Sequence, residues 1–189
     1  MYLYHYFEKE RGPFLTVSDL PYDNAVKVFE EFKTTNSNMV PPHIEWFLTR
    51  RKELENTVRD LFIKKGGKPT RLFPHYMTVE VAPCMNTWYL APDSLKISIN
   101  EFDVNTISFT YGDMFPIFNP NLDGGEEYRN NVYRFDEVVE LIDKYGYPQE
   151  TENKPNAPVG HLLKYIEAHI WCDDVPMRYR NEWLKRNTR

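Results

Sequence analysis

Residues 164–172 read KYIEAHIWC, and the reading of this stretch decides the fold. Ile166, Ala168, Ile170 and Cys172 alternate with Tyr165, Glu167, His169 and Trp171, which is the period of a β-strand with one apolar face. Upstream of it, 151–160 carries two Pro and two Asn and reads as loop. Before that, Phe135–Tyr145 has helical spacing through Val138, Leu141, Ile142 and Tyr145, with Asp136 as the expected N-cap and Gly146 as the stop. The polar stretch Asn119–Asn131, with Gly124-Gly125, reads as a connecting loop.

Further outward the pattern changes twice. Tyr76–Val81, Leu95–Ile99 and Thr106–Tyr111 are β-rich and separated by Pro, Asn and Asp, so they read as successive strands. Two amphipathic helices precede them. One runs from about Tyr22 to Lys33 through Ala25, Val28, Phe29 and Phe32. The other follows Pro41-Pro42, with a stripe from Ile44 to Phe62 closed by Gly66-Gly67. Arg51 falls on that stripe, where a cation must find a partner or extend to water. The first strand is Tyr2–Phe7, with Tyr2, Tyr4 and Tyr6 on one side and Leu3, His5 and Phe7 on the other. This order predicts one α+β domain over 1–189, a mostly antiparallel sheet carrying two N-terminal helices and one later helix. Residues 173–189 read as a polar C-terminal extension with a short helix near Glu182.

Composition excludes several classes. With 41% apolar and 27% charged residues the chain has the make-up of a globular domain, and its 13 Tyr and 12 Phe suit a half-polar sheet face, a ligand cleft or a partner surface. The start MYLYHYFEKE has no basic segment followed by an apolar one, and no apolar run approaches a membrane span, so no membrane role and a soluble, cytoplasmic protein are expected. Cys84 and Cys172 stand far apart and read as free thiols. The net charge of −5 is uneven: 50–71 holds eight Lys or Arg against three acids, and 178–189 holds five against one. A basic helix of this kind is a candidate contact for nucleic acid or phosphate.

No dinucleotide fingerprint, phosphate-binding loop, zinc-protease, serine-hydrolase or calcium-loop motif occurs. The histidines at 5, 43, 75, 161 and 169 include no closely spaced pair, so no metal site is expected. The chemistry-bearing candidates are His5 between tyrosines, Glu167 on an aromatic strand face, His75 at a strand entrance, Arg51, and the Tyr111-Gly112-Asp113 strand ending.

The first strand, Leu3-Tyr4-His5-Tyr6, and the last, Tyr165 to Trp171 followed by Asp173-Asp174-Val175-Pro176, resemble the ends of the ADP-ribosyltransferase fold, in its bacterial His, Tyr, Glu form. The resemblance implies NAD as cofactor and three roles: His5 on the NAD ribose and amide, Tyr111 stacked on nicotinamide, and Glu167 holding the ribose 2′-hydroxyl. His75, Asp113 and Arg51 are then ligand-binding candidates. Two other readings stand beside it. One is a non-enzymatic module that binds a protein or nucleic acid through its aromatic surface or basic helix 50–71. The other is a hydrolase built around Asp113, His75 and Glu167.

Overall fold

Alternation makes each strand two-faced, and a five-stranded sheet is built on that property. A computed structural model describes residues 1–34, 40–122, 125–151 and 164–187. The strands are β1 (Tyr2–Glu8), β2 (His75–Val79), β3 (Pro92–Ser98), β4 (Ile107–Thr110) and β5 (Ile166–Ile170). Their order is β3-β1-β2-β5-β4, and every neighbouring pair is antiparallel. The α+β class expected from the sequence is the one observed.

Register fixes the faces. Leu3 pairs with Val79 and Val79 with Ile166, and all three are fully buried. Tyr4 pairs with Thr78, Thr78 with Glu167 and Glu167 with Thr110, so these four share the opposite face. Helix α1 (Tyr22–Thr34) packs on α2 (Ile44–Lys64), and α2 lies over the Tyr4–Glu167 face, where Arg51 stacks on the Tyr76 ring at 4.3 Å. The short helix α3 (Met114–Ile117) follows β4 and touches α2. On the Leu3 face, α4 (Phe135–Tyr145) packs on β4, followed by the single turn α5 (Pro148–Thr151). Helix α6 (Asp174–Asn187) brings Trp183 edge-on to Phe7 at 5.5 Å.

The β1–β2 ladder is a fork. It consists of Leu3–Val79 and Tyr4–Thr78 alone, although β1 runs on to Glu8 and β2 starts at His75. Past Tyr4 the imidazole of His5 replaces the ladder. Its Nε2 accepts the Phe14 N–H at 2.8 Å, which leaves the ring proton on Nδ1 to donate to the Tyr76 carbonyl at 2.8 Å. Backbone groups that the fork leaves unpaired are thus satisfied by one side chain.

Some boundaries differ from the sequence reading. The segment 173–189 is more than a polar extension, since 174–187 is helical and Val175 and Trp183 anchor it. Helix α4 is capped by Arg134, whose N–H donates to the Glu137 carboxylate, and not by Asp136. The stretch Asn119–Asn131 contains a 3-10 turn at Pro120–Leu122 and buries Tyr128 in the core. Gly124 and the loop assigned to 152–160 lie outside the described residues. Among the described residues, no helix is long and apolar enough to cross a membrane.

Candidate functional site

The polar face of β5 is the floor of a cleft. Its volume is about 680 Å³, within the range that holds a small organic ligand. Tyr4, Tyr6, Tyr76 and Tyr165 supply aromatic faces from the sheet, and Phe47 and Phe115 close over them, stacked at 5.0 Å between centroids. Alternation explains the aromatic floor. Residues that would face water on a one-sided sheet face α1 and α2 here, and tyrosine serves both needs by burying its ring and presenting a hydroxyl.

Five charged side chains line this space: Glu8 and Arg11 toward the end of β1, and Arg51, Asp113 and Glu167 over β5. Glu8 accepts the Leu90 and Ala91 amides, and Arg11 pairs with Glu31 at 2.6 Å. Arg51 is held by its Nε, which donates to Ser18 Oγ at 3.0 Å and lies 3.0 Å from Glu55 Oε1. Glu55 is fully buried, and its Oε1 also accepts from Ser18 Oγ at 2.7 Å and Tyr76 OH at 2.5 Å. Its Oε2 has no hydrogen-bond partner among the described residues. Burial opposes the Arg51 charge, yet Tyr76, Glu55, Glu167 and Asp113 raise the guanidinium above its ordinary value, so it stays charged. Among the described residues only its Nε is hydrogen-bonded; both Nη groups remain as donors.

The two acids over β5 are joined through one helix start. Asp113 caps α3, its Oδ1 accepting from Phe115 N–H at 2.8 Å, while Oδ2 accepts from Tyr165 OH at 3.0 Å. Glu167 Oε2 accepts from Met114 N–H at 3.0 Å. Burial and then the neighbouring Glu167 push Asp113 up to about 6. Glu167 is 8% exposed, and its Oε1 carries no hydrogen bond among the described residues.

A buried relay stands behind Glu167. Trp171 Nε1–H donates to Ser108 Oγ at 2.8 Å, and the hydroxyl proton is then free for His169 Nδ1 at 3.3 Å. That leaves the imidazole proton on Nε2, which faces Glu167 Oε2 at 3.2 Å. Ser108, His169 and Trp171 are fully buried, so the relay orients Glu167 and offers no exposed nucleophile.

The sequence candidates therefore divide. Glu167, Asp113 and Arg51 meet in the cleft. Tyr111 does not: it lies on the Leu3 face with its hydroxyl on the Gly146 carbonyl at 2.6 Å and its ring among Tyr128 and Tyr145. The alternation of β4 places Ile107, Phe109 and Tyr111 together in the core, and Tyr111 is there for that reason. His5 borders the cleft at the fork, but it sits on the face opposite Glu167 and both its nitrogens serve backbone groups. Burial holds it down at about 4, so it is neutral at neutral pH. His75 borders the same opening; its Nε2 meets Asp173 Oδ1 at 3.0 Å, and burial lowers its value despite that carboxylate.

Sequence reasoning missed Glu55, Ser18, Tyr76 and Tyr165. Glu55 was visible in principle, standing four residues after Arg51 on the same stripe, the spacing of an intrahelical ion pair. The basic stretch 50–71 is largely engaged within the molecule. Arg50 pairs with Glu53, Lys65 with Glu137, and Arg71 with both Asp19 and Asp173. Farther on, Arg178 pairs with Glu101, and Arg180 donates to the Pro13 carbonyl. Among the described residues no group of three or more His, Cys, Asp or Glu is placed to hold a metal ion. No protein-family model, curated protein or solved structure matches this chain.

Proposed function

We propose that the protein binds a small organic ligand in the aromatic cleft over β5. The observation that carries this reading is the pair of unsatisfied polar ends there. Arg51 keeps both Nη groups and Glu167 keeps Oε1, inside a space otherwise walled by aromatic rings. These groups have no protein partner and face the cleft, so a ligand that supplies an acceptor and a donor can form charge-assisted hydrogen bonds with them. A thermal-shift screen across aromatic amines, aromatic acids, nucleotides and sugars tests it. A ligand at 100 times its dissociation constant stabilises by about 2.7 kcal/mol. We expect at least one class to raise the melting temperature, and the rise to shrink in a Tyr4→Ala variant, which removes a half-buried wall ring. No shift from any class, or an equal shift in the variant, would overturn the reading.

The alternative of a module that binds nucleic acid along 50–71 is less favoured, because most of that stretch's cations already have internal partners. The NAD-dependent transferase reading has one support, Glu167 in an aromatic cleft. Against it stand His5 on the other sheet face and Tyr111 in the core. Calorimetric titration with NAD of the wild type and of Glu167→Gln decides it, and absence of heat from both removes it.

A further inference from the structure

We propose that the occupant of this cleft is an organic cation, its charge held against Glu167 and Asp113 and its carbon frame against the tyrosine faces; this rests on the small-ligand reading above. The charge balance of the floor is the first argument. Arg51 and Arg11 are the cations of the lining, and each is matched elsewhere: Arg51 by the fully buried Glu55 at 3.0 Å and over the Tyr76 ring at 4.3 Å, Arg11 by Glu31 at 2.6 Å. Asp113 and Glu167 have no Lys or Arg ion pair among the described residues. Their hydrogen bonds come from the Phe115 and Met114 amides, the Tyr165 hydroxyl and the His169 ring. The cleft therefore holds two carboxylates that neither arginine of its lining contacts directly.

The second argument is Oε1 of Glu167, which carries no hydrogen bond among the described residues and belongs to a residue that is 8% exposed and lines the cleft. A carboxylate oxygen that faces a cleft without a protein donor accepts strongly from an N–H or an ammonium. The third is the wall. Tyr4, Tyr6 and Tyr165 line it beside Tyr76, whose ring already carries the Arg51 guanidinium at 4.3 Å, and the negative quadrupole of a tyrosine ring attracts a cation within about 6 Å of its centroid. An anionic ligand would meet two like charges and only the hydrogen-bonding edge of a guanidinium that is already neutralised. The free Nη groups of Arg51 suit an oxygen acceptor elsewhere on the same ligand.

Asp113 gives the proposal a second readout. The groups facing it are Glu167 and Tyr165, the Phe115 amide, and Arg51 from α2. A bound cation favours the ionised carboxyl, so binding near pH 6 releases a proton and affinity rises as pH increases through that value.

The experiment is calorimetric titration at pH 6 and pH 7.5 with four matched probes: benzyltrimethylammonium, phenethylamine, benzyl alcohol and benzoate. The cations are expected to bind, more tightly at pH 7.5, and to lose about tenfold or more in Glu167→Gln; a Thr110→Val variant on the same face, not in the cleft lining, serves as the folding control. Binding of benzoate or benzyl alcohol in preference to the cations would overturn this inference and leave the small-ligand reading standing. Failure of all four probes, together with no hit in the wider screen, would overturn both.

Discussion

Asp113 is held in a state that works against stability. Its carboxyl titrates near 6 in the folded protein against 3.8 in the free residue, so the folded chain holds an extra proton between those values. The contribution is fully present below about 3.8 and is lost as pH rises through about 6, leaving a penalty on the order of 3 kcal/mol at neutral pH. Asp113→Asn keeps the Phe115 cap and offers an N–H to Tyr165. It is expected to melt about 6–12 °C higher than the wild type at pH 7 and no higher at pH 4. A gain that persists at pH 4, or no gain at pH 7, would show that Asp113 carries no such strain. His5 has the opposite sign. Its value of about 4, against 6.5 unfolded, makes its contribution complete above pH 6.5 and lost as pH falls through 4, by about 3 kcal/mol in all. In His5→Phe, denaturant midpoints are expected to be lower at pH 7 but flatter between pH 7 and pH 4. An unchanged slope would mean that other groups drive the acid limb.

Among the elements, α2 was the most legible in the sequence because every signal agreed. Its stripe of Leu48, Leu54, Val58 and Phe62 is buried, and its end is the expected left-handed turn, with Gly66 at φ +88° and Gly67 N–H donating to the Phe62 carbonyl. The second glycine has a separate reason. A Cβ at Gly67 would stand 2.5 Å from the fully buried Phe62 ring. Gly67→Ala is therefore expected to cost about 1–3 kcal/mol, read as a lower denaturant midpoint with an unchanged m-value. A neutral result would show that the ring gives way freely. The strands were legible as elements through alternation, while their ends shifted by a few residues. The fork was not legible, because a histidine that substitutes for a ladder looks in sequence like any inward residue of a strand.

Across the whole molecule, what sequence could not supply was adjacency. Alternation correctly separated Glu167 from Ile166 and Tyr111 from Thr110, but it carries no information on which strands pair. His5 and Glu167 looked like partners because they mark the two terminal strands. The sheet inserts β2 between those strands, and the register then sets the two residues on opposite faces. The charge pattern hides pairing for a similar reason. Lys65 finds Glu137 and Arg71 finds Asp173, acids far along the chain, so part of a basic stretch in one dimension is ion-paired in three. The acids of the cleft were legible as residue types, and their convergence was not.

The position of β5 sets an order of events. It is the last strand in the chain yet lies between β2 and β4, so during synthesis both of those strands keep an open edge until residues 166–170 leave the ribosome. The long reach from His75 to Ile170 makes this closure a slow step, and the exposed edges invite pairing with other chains in the interval. Glu167 and the relay behind it arrive on that same strand. A nascent chain, or one truncated before β5, therefore lacks the floor of the cleft altogether.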